Sequence, residues 1–509
     1  MTLPRPSETG DLRRRFLFPQ MARPLGGARS WAAGALGLLL GLLASWNAPA
    51  AEKRLLAHYM PWYTAPPISS WWGWHWTMNR FDPEQRDEEG RRRIASWYYP
   101  LIGPYDSADP AVLEYHVLLM KLAGVDGVIA DWYGKDDYLD YGVIHQRTLR
   151  LFEWVRRAGL AFCLCYEDRT IARMIEGGYI PPTQAVARAR DTLREAERVF
   201  FTQPGYLRWN GRPVLLNFGP VYFTGDQWPA IFSVLAPTNQ PAFFTLDRRV
   251  TGAVGAFNWP PMWASSTNGG ILSREALRSY LDGFEQKASS WPAYISSAFP
   301  RFHDIYAEAG VGPSYGRLED AEGEILRLTL HRALTNRSTY VQLVTWNDFG
   351  EGTILEPTRE FGFRDLQIVQ ESRRQFLDRS FSGGPEDLEL AWRLHQLRRR
   401  FSGQLLVEAE LDRVFALVVE GSRETARRLL DALEQQRPVL YAWGWANDRL
   451  ALRVGGWRAT GGLEIQCTTN LLWGPWETVA VYPAGTTAPM FETTVDRSGP
   501  ARFFRARNR

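Results

Sequence analysis

The sequence predicts a (β/α)8 barrel followed by a mainly helical stretch and a small antiparallel β-domain, on three observations. Short apolar runs alternate with amphipathic helical stretches, the pattern of βαβ units on a parallel sheet. Eight such runs can be placed over roughly 320 residues, a length suited to a barrel of this kind. Five of the eight run into hydrogen-bonding or carboxylate residues at the same end, where a barrel of this type gathers its site.

The strand-like runs begin near Leu55 (LLAHYM), Val125 (VDGVIADWY), Leu160 (LAFCLCYE), Pro213 (PVLLNFG), Pro241 (PAFFTLD), Ala253 (AVGAFNW), Pro292 (PAYISSAF) and Thr339 (TYVQLVTW). Helical patterns lie between most of them, at Ala111 to Ala123, Arg147 to Ala158, Thr183 to Phe200, Ser273 to Ala288 and Ala321 to Asn336. Trp62 and Tyr63 follow the first strand, Asp131, Trp132 and Tyr133 the second, and Tyr166, Glu167, Asp168 and Arg169 the third. Asn217 ends the fourth, and Trp346, Asn347 and Asp348 end the eighth. A doubly wound open sheet would also gather ligands at strand C-termini, but the Gly-rich phosphate loop that accompanies it is missing from the sequence.

Past Phe381 the character changes. SFSGGPED breaks the pattern, Asp387 to Arg400 and Ser422 to Gln436 read as helices, and from Leu450 short alternating runs are separated by Gly, Pro, Asn and Asp. The expected organisation is therefore an export segment over 1–51, the barrel over 52–380, a helical linker over 381–449 and a small β-sandwich-like module over 450–509. Carbohydrate contact or simple spacing are both open roles for that module.

Composition narrows the function. Hydrophobic residues make up 45% of the 509 and charged residues 23%, the balance of a globular protein. A net charge of +3, with no basic stretch interleaved with stacking aromatics, does not indicate a nucleic-acid partner. The 22 Trp, 20 Tyr and 26 Phe supply flat apolar faces edged with polar groups, which suit sugar rings where they cluster. Cys163 and Cys165 sit two apart in an apolar run and point the same way from one strand, so they read as core thiols. Arg23 and Arg29, an uncharged run from Trp31 to Ala51 and Ala48-Pro49-Ala50 have the layout of a secretory signal, with Met21 as a compact alternative start. The expected location is outside the cytoplasm, with no stable membrane insertion once the signal is cleaved; an uncleaved anchor is the alternative. Composition leaves the oligomeric state open.

Cleaving a glycosidic bond needs one carboxyl group to protonate the leaving oxygen and a second to activate a nucleophile. Thr345-Trp346-Asn347-Asp348-Phe349-Gly350-Glu351-Gly352-Thr353 places two carboxylates three apart directly after a strand, with Gly on both sides of Glu351. Such spacing alone is as consistent with a loop-capping pair. The context points further: after the first strand, WYTAPPISSWWGWHW packs five Trp and His75 into fifteen residues, which solubility alone would not select. HYMPWYTAP with WHW, GVDGVIADWYG, CYEDR and TWNDFGEGTILEPTREFG together resemble the glycoside hydrolase family 71 and 99 superfamily over Arg54 to Phe376. The resemblance implies a (β/α)8 barrel acting on α-linked mannosyl or glucosyl polymers, with no catalytic metal and no cofactor. The family 99 pattern WNEWHEGT maps its two catalytic glutamates onto Asp348 and Glu351. Glu351 is then the general acid and base, while Asp348 assists a sugar 2-hydroxyl or activates water. Glu167 falls where family 99 has the Glu of HIEPY. The expected cleft lining is Trp62, Tyr63, His75, Trp76, Asp131, Trp132, Tyr133, Tyr166, Glu167, Arg169, Asn217, Trp346, Asn347 and Glu356, with a buried Asp131–Arg169 ion pair as a rival role for Asp131. A carbohydrate is the expected partner. A non-catalytic carbohydrate-binding barrel and a glycosyl-transfer enzyme are the competing readings.

Overall fold

The computed structural model describes residues 53–268, 270–435, 439–446, 449–455, 462–469, 474–483, 491–496 and 502–508. The expected export segment lies outside these residues. Among them, no helix is long and apolar enough to cross a membrane.

Eight parallel strands close into a barrel: β1 Arg54–Tyr59, β2 Gly127–Trp132, β3 Ala161–Tyr166, β4 Arg212–Asn217, β5 Ala242–Leu246, β6 Gly255–Phe257, β7 Ile295–Ala298 and β8 Tyr340–Leu343. β1 pairs with both β2 and β8, and β3 pairs with β4, so the sheet has no free edge along this circuit. All eight lie where the sequence places strands. β2, GVIADW, is buried along its whole length, as a parallel strand covered on both faces must be. β6 is the shortest, and Gly255 is required there because a Cβ would come within 1.7 Å of the Ala293 carbonyl oxygen.

The barrel helices include α1 Pro110–Ala123, α2 Tyr141–Arg157, α3 Ala185–Ala196, α4 Arg274–Ala288, α5 Glu324–Thr335 and α6 Arg364–Phe376. Local signals set their ends. Asp109 caps α1 by accepting the Ala111 N–H, Pro110 fills the first turn, and Gly124 closes the helix at φ 80°. Ser273 caps α4 from the Ala276 N–H.

The C-terminal part adds three helices and two small sheets. The stretch expected as a linker holds three helices, α7 Pro385–Arg400, α8 Leu405–Val419 and α9 Arg423–Gln435. Leu388, Ala391, Leu394 and Leu397 recur at helical spacing and share the barrel's apolar core. Arg398 also pairs with the buried Glu114 of α1 at 2.7 Å, so α7 is an outer layer on the barrel. The first C-terminal strand, β9 Val439–Ala446, begins before Leu450 because it pairs antiparallel with β10 Arg449–Gly455. β11 Leu463–Thr468, β12 Glu477–Tyr482, β13 Phe491–Asp496 and β14 Phe503–Asn508 complete two three-stranded antiparallel sheets. Val454, Leu463 and Ile465 form their shared core.

Candidate active site

The loop after β8 carries Asp348 and Glu351, and its backbone is tied down on three sides. The Trp346 N–H donates to the His58 carbonyl at 2.6 Å, prolonging β8 against β1. Asn347 acts as a clamp: its Oδ1 accepts the Met60 N–H at 2.8 Å, and its Nδ2 donates to the Met60 carbonyl and the Tyr105 hydroxyl. Tyr63 donates its hydroxyl proton to the Asn347 carbonyl at 2.9 Å and accepts the Phe349 N–H at 3.0 Å. Asp348 Oδ1 accepts the Glu351 N–H at 3.0 Å, so the first carboxylate folds the loop that presents the second. Asp348 thus fills the loop-capping role that its spacing from Glu351 allows.

Glycine is needed beside Glu351. Gly352 sits at φ 67°, and a Cβ there would lie 2.7 Å from the His303 carbonyl oxygen. That close approach lets the His303 N–H donate to the Glu351 carbonyl at 2.8 Å. The Tyr306 hydroxyl reaches Glu351 Oε1 at a long 3.5 Å, and Trp259 adds a hydrogen bond to the same carboxylate. Glu351 Oε2 is buried with no hydrogen-bond partner among the described residues.

Four carboxyl groups share this end of the barrel. Burial pushes Glu351 well above the usual carboxylate range, and the charge of Asp348 adds to the effect. Burial raises Asp348 to about 6, against the pull of the Glu351 and Gly350 N–H groups. Glu167 rises to about 7 through burial, opposed by Arg169 and reinforced by Asp168 and Asp348. Asp131 goes well up for the same first reason, with Glu167 and Asp348 as repelling neighbours. Groups pushed apart in this way can divide acid and base roles between them.

Aromatic groups flank the carboxylates. Trp62 stacks on His75 with centroids 4.2 Å apart, and Tyr133 lies 6.2 Å from Trp62. His75 Nε2 in turn stands 3.5 Å from Asp140. These three keep partly exposed or cleft-side positions and remain candidates for sugar contact.

Several expected lining residues are instead scaffold. Trp132 and Tyr166 alternate outward from Asp131 and Cys165 and pack on each other, with Trp132 reaching His145 and Phe200 under the helices. Trp76 is fully buried, donates to the Tyr105 carbonyl at 2.7 Å and packs on Tyr63 and Phe349. Trp346 is buried beside His116. Tyr63 and Asn347 hold the loop, as described. Asn217 donates to the Tyr166 carbonyl at 2.8 Å and lies behind Asp168. Glu356 is sealed between Tyr105 and His116. Arg169 is exposed at the start of a short helix and makes no ion pair with Asp131, whose oxygens have no hydrogen-bond partner among the described residues. Sequence reasoning missed Trp259 and Tyr306, both beside Glu351. Extending the strand-end rule to the segments FNWPP and FPRFHDIY after β6 and β7 would have found them.

Fold and site together define a (β/α)8-barrel protein with a carboxylate cluster at the C-terminal mouth. No protein-family model matches the chain. The human glycoprotein endo-alpha-1,2-mannosidase-like protein is 32% identical over 334 residues, spanning 59% of this chain and 68% of its own length. A Danio rerio protein of the same description is 37% identical over 83 residues, 15% of this chain and 19% of that one. The uncharacterized protein WxcX of Xanthomonas campestris is 23% identical over 359 residues, 62% of this chain and 49% of that one. The chain thus spans about half the length of WxcX and under a fifth of the Danio rerio protein. The GH99 endo-alpha-mannosidase from Bacteroides thetaiotaomicron superposes with a TM-score of 0.49 and 16% identity, covering 64% of this chain and 97% of that one. The chain belongs to the glycoside hydrolase family 99-like superfamily, together with the endo-alpha-1,2-mannosidase-like proteins.

Proposed function

We propose that this protein is an exported glycoside hydrolase that cuts an α-linked polysaccharide or glycan of the mannan or glucan type, with Glu351 and Asp348 as its catalytic pair. The observation that supports this reading is the Asp348–Glu351 loop, in which two buried carboxyl groups are held beside Glu167 and Asp131 at the barrel mouth. Glu351, kept protonated by burial and by its neighbour's charge, gives its proton to the glycosidic oxygen and recovers one in the second half of the reaction. Asp348 ionises first because backbone N–H groups stabilise its charged form. As an anion it draws the proton from the attacking group, whether a sugar 2-hydroxyl or water. Trp62 and His75 offer one flat surface to the ring, and Glu167 accepts from hydroxyls near the cleavage point.

Reducing-end release from α-mannan and α-1,3-glucan is the test, run on the wild type, Glu351→Gln and Asp348→Asn. Each substitution is expected to lower kcat by about 10²–10⁴. Wild-type turnover retained in either variant overturns the role of that residue. Tight binding of a polymer without release of ends in the wild type would mark a carbohydrate-binding barrel instead. Comparing the N-terminus of the exported protein with Ala51 checks the proposed signal cleavage.

A further inference from the structure

We propose that His58, Asp131 and Cys165 form a binding site for one divalent transition-metal ion of the zinc class, set in the floor of the barrel mouth. The three residues alternate inward from neighbouring strands, with Tyr59, Trp132 and Tyr166 alternating outward. Asp131 and Cys165 are direct register partners across β2 and β3, and His58 pairs with Ile129 one step below on β1. One ligand atom from each residue lies within 4.8 Å of the others. Metal bonds of about 2.0–2.3 Å let two such atoms share an ion at about 3.5–4 Å, so small side-chain rotations close the set.

Two independent features point to a ligand. Asp131 is only 2% exposed, yet neither of its oxygens has a hydrogen-bond partner among the described residues. A buried carboxyl left this way either stays protonated or is held by a positive group, and a metal ion would be such a group. The second feature is the tautomer of His58, which the hydrogen-bond chain behind it determines. The Ser297 hydroxyl donates to the Asn258 carbonyl, so the Ser297 oxygen can only accept from its other neighbour. Gln342 Nε2 supplies that bond at 3.1 Å. Gln342 Oε1 therefore faces His58 Nδ1 at 3.3 Å, and Nδ1 must carry the proton. This leaves Nε2 as a free lone pair. A histidine that gives one ring N–H to a fixed acceptor and keeps the other nitrogen bare is the usual arrangement of a metal-binding imidazole.

Nitrogen, thiolate sulfur and carboxylate oxygen suit a zinc-class ion with three protein ligands and an open fourth position. Its charge would offset the three neighbouring carboxylates Asp131, Glu167 and Asp348. Cys165, a core thiol by sequence alone, gains a function from its place at the top of the inner face. The inference holds whether or not the proposed hydrolysis is correct, because it is read from metal content rather than from turnover.

The test uses the full chain, dialysed against a chelator and titrated with CoCl2 and ZnCl2. One cobalt per chain is expected, with a thiolate-to-cobalt charge-transfer band that zinc displaces. Cys165→Ser should lose the band, and His58→Ala and Asp131→Asn should each weaken binding by roughly 100-fold or more. Should a variant fail to fold, as judged by circular dichroism, the wild-type spectrum still decides. No stoichiometric uptake, or uptake without the thiolate band, overturns the site. Unchanged affinity in all three folded variants does so too.

Discussion

Glu356→Ala separates a residue that holds the Asp348–Glu351 loop from one that touches sugar. The Glu356 side chain is completely enclosed, with Oε2 accepting the Tyr105 hydroxyl at 2.7 Å. Oε1 lies 3.2 Å from His116 Nε2, without hydrogen-bond alignment. Its negative charge, after burial itself, pushes the Tyr59 and Tyr105 phenols well above their usual range. Tyr105 in turn receives Asn347 Nδ2 at 3.0 Å, and Asn347 immediately precedes Asp348. Removing one partner of such a buried pair costs about 3–5 kcal/mol, because the groups left behind cannot reach water. At roughly 2 °C per kcal/mol for a domain of this size, Tm should fall by about 6–10 °C. Thermal unfolding followed by circular dichroism measures this, alongside kcat and KM on the polymer that the wild type cleaves. The expected result is a lower Tm and a lower kcat with KM within about 2-fold, as the displaced loop misplaces Asp348. An unchanged Tm with a raised KM would refute the reasoning and return Glu356 to the cleft.

The pH profile follows from the same pair. Asp348 must be ionised, so activity should fall as pH drops through about 6; Glu351 must be protonated, so activity should fall again at higher pH as its raised group ionises. A flat profile of kcat/KM between pH 4 and 6, which reports the free enzyme, would contradict the assignment of Asp348, given its value of about 6. Trp62→Ala should raise KM about 5–10-fold, the worth of one stacking contact, with a smaller loss of Tm than a fully buried tryptophan would give, since the ring is only partly buried at the edge of the core and lies on His75. Trp132→Ala should do the reverse, costing about 3–5 kcal/mol of stability while KM holds, because its ring fills the space between β2 and α2. Equal effects of the two substitutions on KM would show that the outward assignment of Trp132 is mistaken.

The barrel was legible in the sequence because each strand is a short apolar run bounded by turn chemistry, and the helices carry their own caps in Asp109, Gly124 and Ser273. The helices after the barrel were legible as helices, but what they pack against was not, because charge runs such as Arg398–Arg400 suggest a solvated face. The leucines of α7 find their partners on α1, far away in sequence, and Arg398 finds Glu114 there. The loop holding Asp348 was legible as a motif. Its support was not, since Tyr63, Tyr105 and His116 come from separate segments that only the closed barrel brings together.

The misplaced lining residues share one cause. Listing every polar or aromatic residue at a strand end ignores that successive side chains point to opposite faces. Asp131 and Trp132 cannot both face the cleft, nor can Cys165 and Tyr166. The two-residue period therefore excludes one of each pair, but it does not say which. Polarity selects Asp131 correctly; at β3 it selects Tyr166, which is wrong, because the direct register of Asp131 with Cys165 puts the thiol inward. An inner face of a barrel is apolar core through most of its depth and becomes the floor of the cleft at its C-terminal end. Cys163 and Cys165, two residues apart on one strand, fall on opposite sides of that change: Cys163 is register partner to Ile129, and Cys165 to Asp131, whose oxygens have no hydrogen-bond partner among the described residues. Depth along the strand, set by closure of the barrel, decides whether an inward cysteine is packing or chemistry.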